Sequence, residues 1–211
     1  MSDEDREEMS IAFLRLLPDT DGTGRSNIYI DPRVLEGKEY DNERMVRAAW
    51  LTLHEALETE SAQQKGIVFL VYLEGALLRH FDRTLVKHLA NSIRGYVTHC
   101  IARILIIASL KYLYSYTLCK SILPVRVSTI HLFYAPYLFE VLFDVVSMLL
   151  GDRLTKRIKL YSDEEKTVVQ DKLMDFGIFP SRLPAELSGS LEFVDGKWKN
   201  CVSEDCSKSR K

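Results

Sequence analysis

Seven consecutive apolar or aromatic residues, Ile67 to Leu73, stand between Gly66 and the Glu74-Gly75 pair in the run GIVFLVYLEG. The run is short for a core helix and rich in β-branched and aromatic side chains, the pattern of a strand buried on both faces. Such a strand belongs near the centre of a sheet. The segments around it must then supply both the neighbouring strands and the layers that cover them.

The flanks carry matching signals. Asp19 to Gly24 (DTDGTG) is a turn cluster, and Ser26 to Ile30 (SNIYI) is a β-prone run ended by Asp31-Pro32, which fits an edge strand. Between Glu43 and Ser61, the residues Met45, Ala48, Leu51, Leu53, Ala56 and Leu57 recur at helical intervals among charged ones. With Asp41 or Asn42 as N-cap, they predict one long surface helix with a buried stripe. Phe81 to Ile93 spaces Leu85, Leu89 and Ile93 four residues apart, a second amphipathic helix. Val125 to Leu132 (VRVSTIHL), framed by Pro124 and Pro136, and Arg157 to Tyr161 (RIKLY) read as further strands. Phe139 to Leu150 (FEVLFDVVSMLL) has helical length but is apolar nearly all round, so it needs apolar partners on two sides. Strands alternating with helices predict an α/β domain with a largely parallel sheet.

Composition narrows the function classes. With 211 residues, 46% hydrophobic and 27% charged, the chain has the balance of one globular domain. A net charge of -2 gives no global attraction to nucleic acid or to an anionic bilayer, so any basic site is local and no nucleic-acid partner is expected. The acidic start, MSDEDREEMS, lacks the basic and apolar regions of a secretory signal, which points to a cytoplasmic protein. Four cysteines, Cys100, Cys119, Cys201 and Cys206, form no dense disulfide framework, and the last two have no matching ligand pair nearby, so no metal site is expected. None of His54, His80, His88, His99 and His131 lies in a nucleophile, metal or phosphate-loop motif, and Glu74 and Asp82 form no evident acid/base pair. A non-enzymatic role is expected, with no catalytic residues, and His131 reads as a packed strand residue.

Several ordered blocks are specific. Pro124 and Arg126 open a strand that closes at Pro136, with Tyr134 where asparagine is usual; an apolar helix, a basic turn and an Arg157-Ile158 strand follow. The series ends in Leu183, Pro184, Glu186, Leu187, Ser188 and Gly189, and upstream the central run ends in Leu73-Glu74-Gly75, with Tyr72 replacing aspartate. Together these blocks, from about Leu14 to Asn200, resemble the CRAL-TRIO family of lipid-binding domains, and within it the α-tocopherol and retinaldehyde carrier branch. The resemblance implies a CRAL-TRIO-type α/β fold: a largely parallel sheet floor, flanking helices and a mobile apolar gate helix. It divides the chain into a short remnant of an N-terminal helical region (1–18), the lipid-binding domain (19–200) and a polar tail (201–211).

The same spacing isolates Tyr96 to Lys120 as an insertion, because joining its flanks leaves IRGSILPVR at the family's usual spacing. Arg103 and Lys111 interrupt the segment, and no uncharged run approaches the roughly 18 residues of a membrane span. Two readings stay open. One is an added helix with Ile104, Ile107 and Leu110 as its apolar stripe. The other is a retained intron, which codon degeneracy at Gly95-Tyr96-Val97 permits.

What the resemblance implies for function is carriage of a hydrophobic lipid of tocopherol, retinoid or phospholipid type, as cargo rather than as a cofactor. The floor candidates are Ile67, Phe69, Val71, Ile130 and Leu132; the gate candidates are Phe139, Leu142, Phe143, Val146 and Leu150. A carrier must bury a long apolar ligand against such a floor behind a movable wall; the alternative is that these residues are simply core. Arg126, Arg153 and Arg157 match positions at which the tocopherol carriers bind phosphoinositide head groups, and arginine suits phosphate through bidentate donation. The alternative there is a solvated charge cluster. Ser147-Met148 replaces the family's Lys-Pro in the gate, which predicts a straighter helix. Peripheral association with phosphoinositide-containing membranes follows from the carrier reading. The competing readings are an interaction module without cargo and a poorly folding mis-spliced product, and the sequence leaves the oligomeric state open.

Overall fold

The computed structural model describes residues 13–76, 126–137, 155–162, 165–194 and 197–200. Among these, five strands form one sheet in the order of the chain: β1 (Leu14–Leu16), β2 (Ser26–Ile30), β3 (Ile67–Tyr72), β4 (Val127–Phe133) and β5 (Ile158–Tyr161). β2 to β5 run parallel to one another, and β1 pairs antiparallel with β2. All six residues of β3 are buried at the sheet centre, as its uninterrupted apolar run predicts. The chain is therefore an α/β domain with a mostly parallel sheet.

Two expectations are corrected here. Ser26–Ile30 is not an edge strand: all five of its residues are buried, and Leu14–Leu16 lies outside it. Three residues are too few to show a strand period, and Arg15 in their middle is a usual way to blunt a sheet edge. The helix expected over Glu43 to Ser61 is two helices, α1 (Asn42–Ala56) and α2 (Glu60–Lys65). Thr59 ends the continuity by N-capping α2, its hydroxyl accepting from the Ala62 amide at 3.2 Å. Ser26 of β2 donates to the Ala56 carbonyl at 2.7 Å, so the sheet itself takes up a free carbonyl at the end of α1. Asp41 caps the start of α1, accepting from the Arg44 amide at 2.9 Å. The buried stripe is Met45, Ala48, Ala49, Thr52, Leu53 and Ala56, while Leu51 faces outward.

One cluster of buried residues covers each face of the sheet. The first contains Ile28, Ile30, Ile67, Phe69, Val71, Ile130, Leu132 and Ile158 with Met45, Leu53 and Ala56 of α1. The second contains Tyr29, Val68, Leu70, Tyr72, Phe133 and Tyr161 with residues of the C-terminal part. That part comprises α3 (Lys166–Asp175), two single-turn 3-10 segments and the hairpin β6 (Leu191–Val194) to β7 (Lys197–Asn200). It escapes sequence patterning because α3 buries only Val169 and Leu173. The hairpin is tied to the sheet edge by Trp198, whose indole Nε1 donates to the Leu16 carbonyl at 2.7 Å.

A buried ionic clamp joins the layers. Asp21 accepts from the amide and hydroxyl of Thr23, each at 2.8 Å, and from the amide of Arg25 at 2.9 Å. It also forms an ion pair with the Arg25 guanidinium. Burial pushes the Asp21 carboxyl up, but these bonds from Arg25 and Thr23 outweigh it and hold the group below its ordinary value. The same guanidinium donates to Ser128 Oγ at 2.8 Å and to the Phe176 carbonyl at 3.0 Å. Ser128 sits where the β3–β4 register skips from Val127 to Thr129, and the irregularity leaves its hydroxyl to a side-chain partner.

Tyr134, where the family that the sequence resembles usually has asparagine, and Ser188, where it usually has glycine, occupy the left-handed region, with φ 52° and φ 59°. Asparagine and glycine tolerate that region best, which gives a physical reason for those residue types there. Ser188→Gly should therefore raise stability by about 1 kcal/mol, measured by denaturant unfolding. An unchanged or lower midpoint would contradict this account.

Candidate functional site

The five floor residues expected from the sequence lie on one face of the sheet. Strand alternation puts Ile67, Phe69 and Val71 together, and the parallel register sets Phe69 beside Ile130 and Val71 beside Leu132. The pairing extends this surface across four strands. Ile28, Phe69, Ile130 and Ile158 form one row, and Ile30, Val71, Leu132 and Leu160 form the next. Ile28, Ile30, Ile158 and Leu160 were missed as floor residues, although the alternation in SNIYI and RIKLY carries the signal. α1 packs over the β1–β2 end of the sheet. Seven of the eight side chains in the two rows are buried, and Leu160 packs partly buried against them. The two rows are aliphatic apart from Phe69 and carry no hydrogen-bonding side chain.

The gate candidates Phe139, Leu142, Phe143, Val146 and Leu150 and the basic residue Arg153 lie outside the described residues, as do Phe81 to Ile93 and the segment from Tyr96 to Lys120. The other two basic candidates are brought to the same end of the sheet. Arg126 precedes β4 and donates from one guanidinium nitrogen to the Gln64 carbonyl at 2.7 Å; Arg157 precedes β5 and donates to the Val127 carbonyl at 2.6 Å. Neither has a carboxylate partner among the described residues.

The opposite face is aromatic and holds the buried polar groups. His131 is fully buried, stacks on Phe133 and Tyr161 with interplanar angles of 9° and 13°, and meets the edge of Phe176 at 4.9 Å. Its Nδ1 lies 3.0 Å from the Tyr161 hydroxyl. Burial, with lesser help from Arg25 and Lys159, drives its pKa down to about 3, so the ring is neutral at pH 7. This is a packed histidine, as its place in the strand pattern suggests. At the carboxyl end of β3, the Tyr72 hydroxyl donates to Glu74, and Arg33 lies over the Tyr72 ring at 4.4 Å while pairing with Asp31. Among the described residues, no group of three or more His, Cys, Asp or Glu side chains is arranged to hold a metal ion, and no helix is long and apolar enough to cross a membrane.

The CRAL/TRIO domain profile matches residues 13–123, which is 111 of 211 residues. Proteins called alpha-tocopherol transfer protein-like from Homo sapiens and Pongo abelii are each 23% identical over 207 residues, covering 95% of this chain and 51% of the relative. The Mus musculus protein of that name is 22% identical over 163 residues, covering 75% of this chain and 40% of its own. This chain spans about half the length of these curated relatives. A solved structure titled "Crystal structure of Sfh5" aligns with a TM-score of 0.41 at 12% identity, covering 74% of this chain and 55% of that one, too loose a likeness to add to the argument. The profile match over more than half of the chain, together with the ordered sheet and its aliphatic floor, places this protein in the CRAL/TRIO family of lipid-binding domains.

Proposed function

We propose that this domain binds a hydrophobic lipid with one polar end, of tocopherol, retinoid or phospholipid type, and exchanges it at phosphoinositide-containing membranes. The observation that supports this reading is the pair of aliphatic rows running from β2 to β5, Ile28-Phe69-Ile130-Ile158 and Ile30-Val71-Leu132-Leu160. A long apolar ligand needs a continuous floor without buried polar groups, because each unpaired one costs about 1–3 kcal/mol. Tyr29, Tyr72 and His131 point to the other face. In this reading Phe139, Leu142, Phe143, Val146 and Leu150 close over the floor, and Arg126, Arg153 and Arg157 engage head groups. The domain acts by binding and release, without catalysis, and works as a peripheral protein of the cytoplasm.

Native mass spectrometry and lipid extraction of the purified protein test the cargo directly. A stoichiometric lipid, either co-purified or taken up from a panel of tocopherols, retinoids and phospholipids, is the expected result. A folded protein that retains and accepts none of them would remove the carrier reading and leave an interaction module without cargo.

A further inference from the structure

The amino ends of β3, β4 and β5 carry more positive charge than the expected basic residues alone account for. Lys65 is the last residue of α2 and stands two positions before β3. Its ammonium donates to the Thr23 carbonyl at 2.6 Å. The chain then turns at Gly66, with φ 90°, and the Ile67 amide donates to the Arg126 carbonyl at 2.9 Å. Arg126 reaches back to Gln64, the residue before Lys65, and Arg157 reaches across to Val127, the residue after Arg126. Lys156 is exposed beside Arg157. Lys65, Arg126 and Arg157 are thereby strung along one rim of the sheet by bonds to backbone carbonyls, and the exposed Lys156 adjoins Arg157 on it.

None of the four has a carboxylate partner among the described residues. Asp21 is paired with Arg25, and the Glu60 carboxylate of α2 accepts from the Gln64 side chain at 2.8 Å. The carbonyl bonds orient Lys65, Arg126 and Arg157 without neutralising them. Unneutralised cations spread along one edge attract a flat, multiply charged anionic surface more than a compact anion, because each contributes about 1 kcal/mol near such a surface.

We infer that Lys65 and Lys156 extend the basic site along the whole amino edge of β3–β5, making it a strip that docks on anionic lipid head groups. This rests on the membrane-exchange reading and adds two contacts to it. The strip sets the orientation of docking: the sheet meets the bilayer by the amino ends of its parallel strands.

Sedimentation with phosphatidylcholine vesicles containing 20–30% phosphatidylserine, in about 0.05 to 0.5 M salt, tests the strip. Lys65→Gln should weaken binding about fivefold, as should Lys156→Gln, and each should flatten the salt dependence, with lipid loading and melting temperature unchanged. Arg126→Gln with Arg157→Gln serves as the reference. If the arginine pair weakens binding while both lysine variants match the parent, the strip is overturned and the smaller site stands. If all variants match the parent, electrostatic docking at this edge falls altogether, while cargo binding is judged by mass spectrometry alone. If soluble inositol hexakisphosphate binds through the lysines but vesicles do not, the site takes a free anion and the membrane strip is overturned.

Discussion

Gly66→Ala is expected to lower stability by about 3–5 kcal/mol, enough to abolish folding of a domain with ordinary marginal stability. Two effects add. Gly66 has φ 90° and ψ -173°, a combination that is essentially restricted to glycine and costs another residue about 1–3 kcal/mol. A Cβ built there would also lie 2.5 Å from the Arg126 carbonyl oxygen, which is backbone and is bonded to the Ile67 amide, so it cannot swing aside. The same position ends α2, starts the central strand and sets the β3–β4 register. Equilibrium urea unfolding of the two forms measures the loss. Gly37→Ala is the control: its φ of 69° is also left-handed, but no atom lies within 4 Å of the added carbon, so its cost is confined to about 1–2 kcal/mol of backbone strain. Equal effects at the two positions would show that the close approach to Arg126 contributes nothing.

The parallel core was legible because its signals are local and strong. An uninterrupted apolar run gives β3, a Pro-bounded β-prone run gives β4, the short run RIKLY gives β5, and Asp41 before a 3.6-period stripe gives α1. The missed features depend on partners distant in sequence. Leu14–Leu16 is a strand only because β2 offers it an edge, and the gap between α1 and α2 closes on Ser26, 30 residues away from Ala56. The hairpin Leu191–Val194 to Lys197–Asn200 is fixed by Trp198 bonding to Leu16 and by Arg15 lying 4.1 Å over the Phe193 ring. For the site, Ile67, Phe69, Val71, Ile130 and Leu132 could be named from alternation within single strands. The rows they join need the cross-strand register, which no single segment encodes.

The second large effect is a loss of stability in mild acid that traces to one ring. His131 binds a proton near pH 6.5 when unfolded but only near pH 3 in the folded sheet, because burial and the nearby Arg25 and Lys159 disfavour the imidazolium. Between these values the unfolded chain binds more protons, so stability falls as pH drops, by about 1.4 kcal/mol per unit once below pH 6.5. From pH 6.5 to 4.5 the loss is about 2–3 kcal/mol from this group alone. Asp21 has the opposite origin and a lower window: its depressed folded pKa contributes stability above the usual carboxylate value near 3.8 and loses it only as pH falls below that. His131→Phe keeps a flat ring against Phe133 and Tyr161 but cannot take a proton; it forfeits the 3.0 Å contact with the Tyr161 hydroxyl, at about 1 kcal/mol at pH 7. Urea midpoints between pH 7 and 4.5 should therefore converge and then cross, with the variant the more stable at the acid end. If the two curves stay parallel across that range, His131 is not the group that titrates, and the acid sensitivity must come from carboxylates near pH 4.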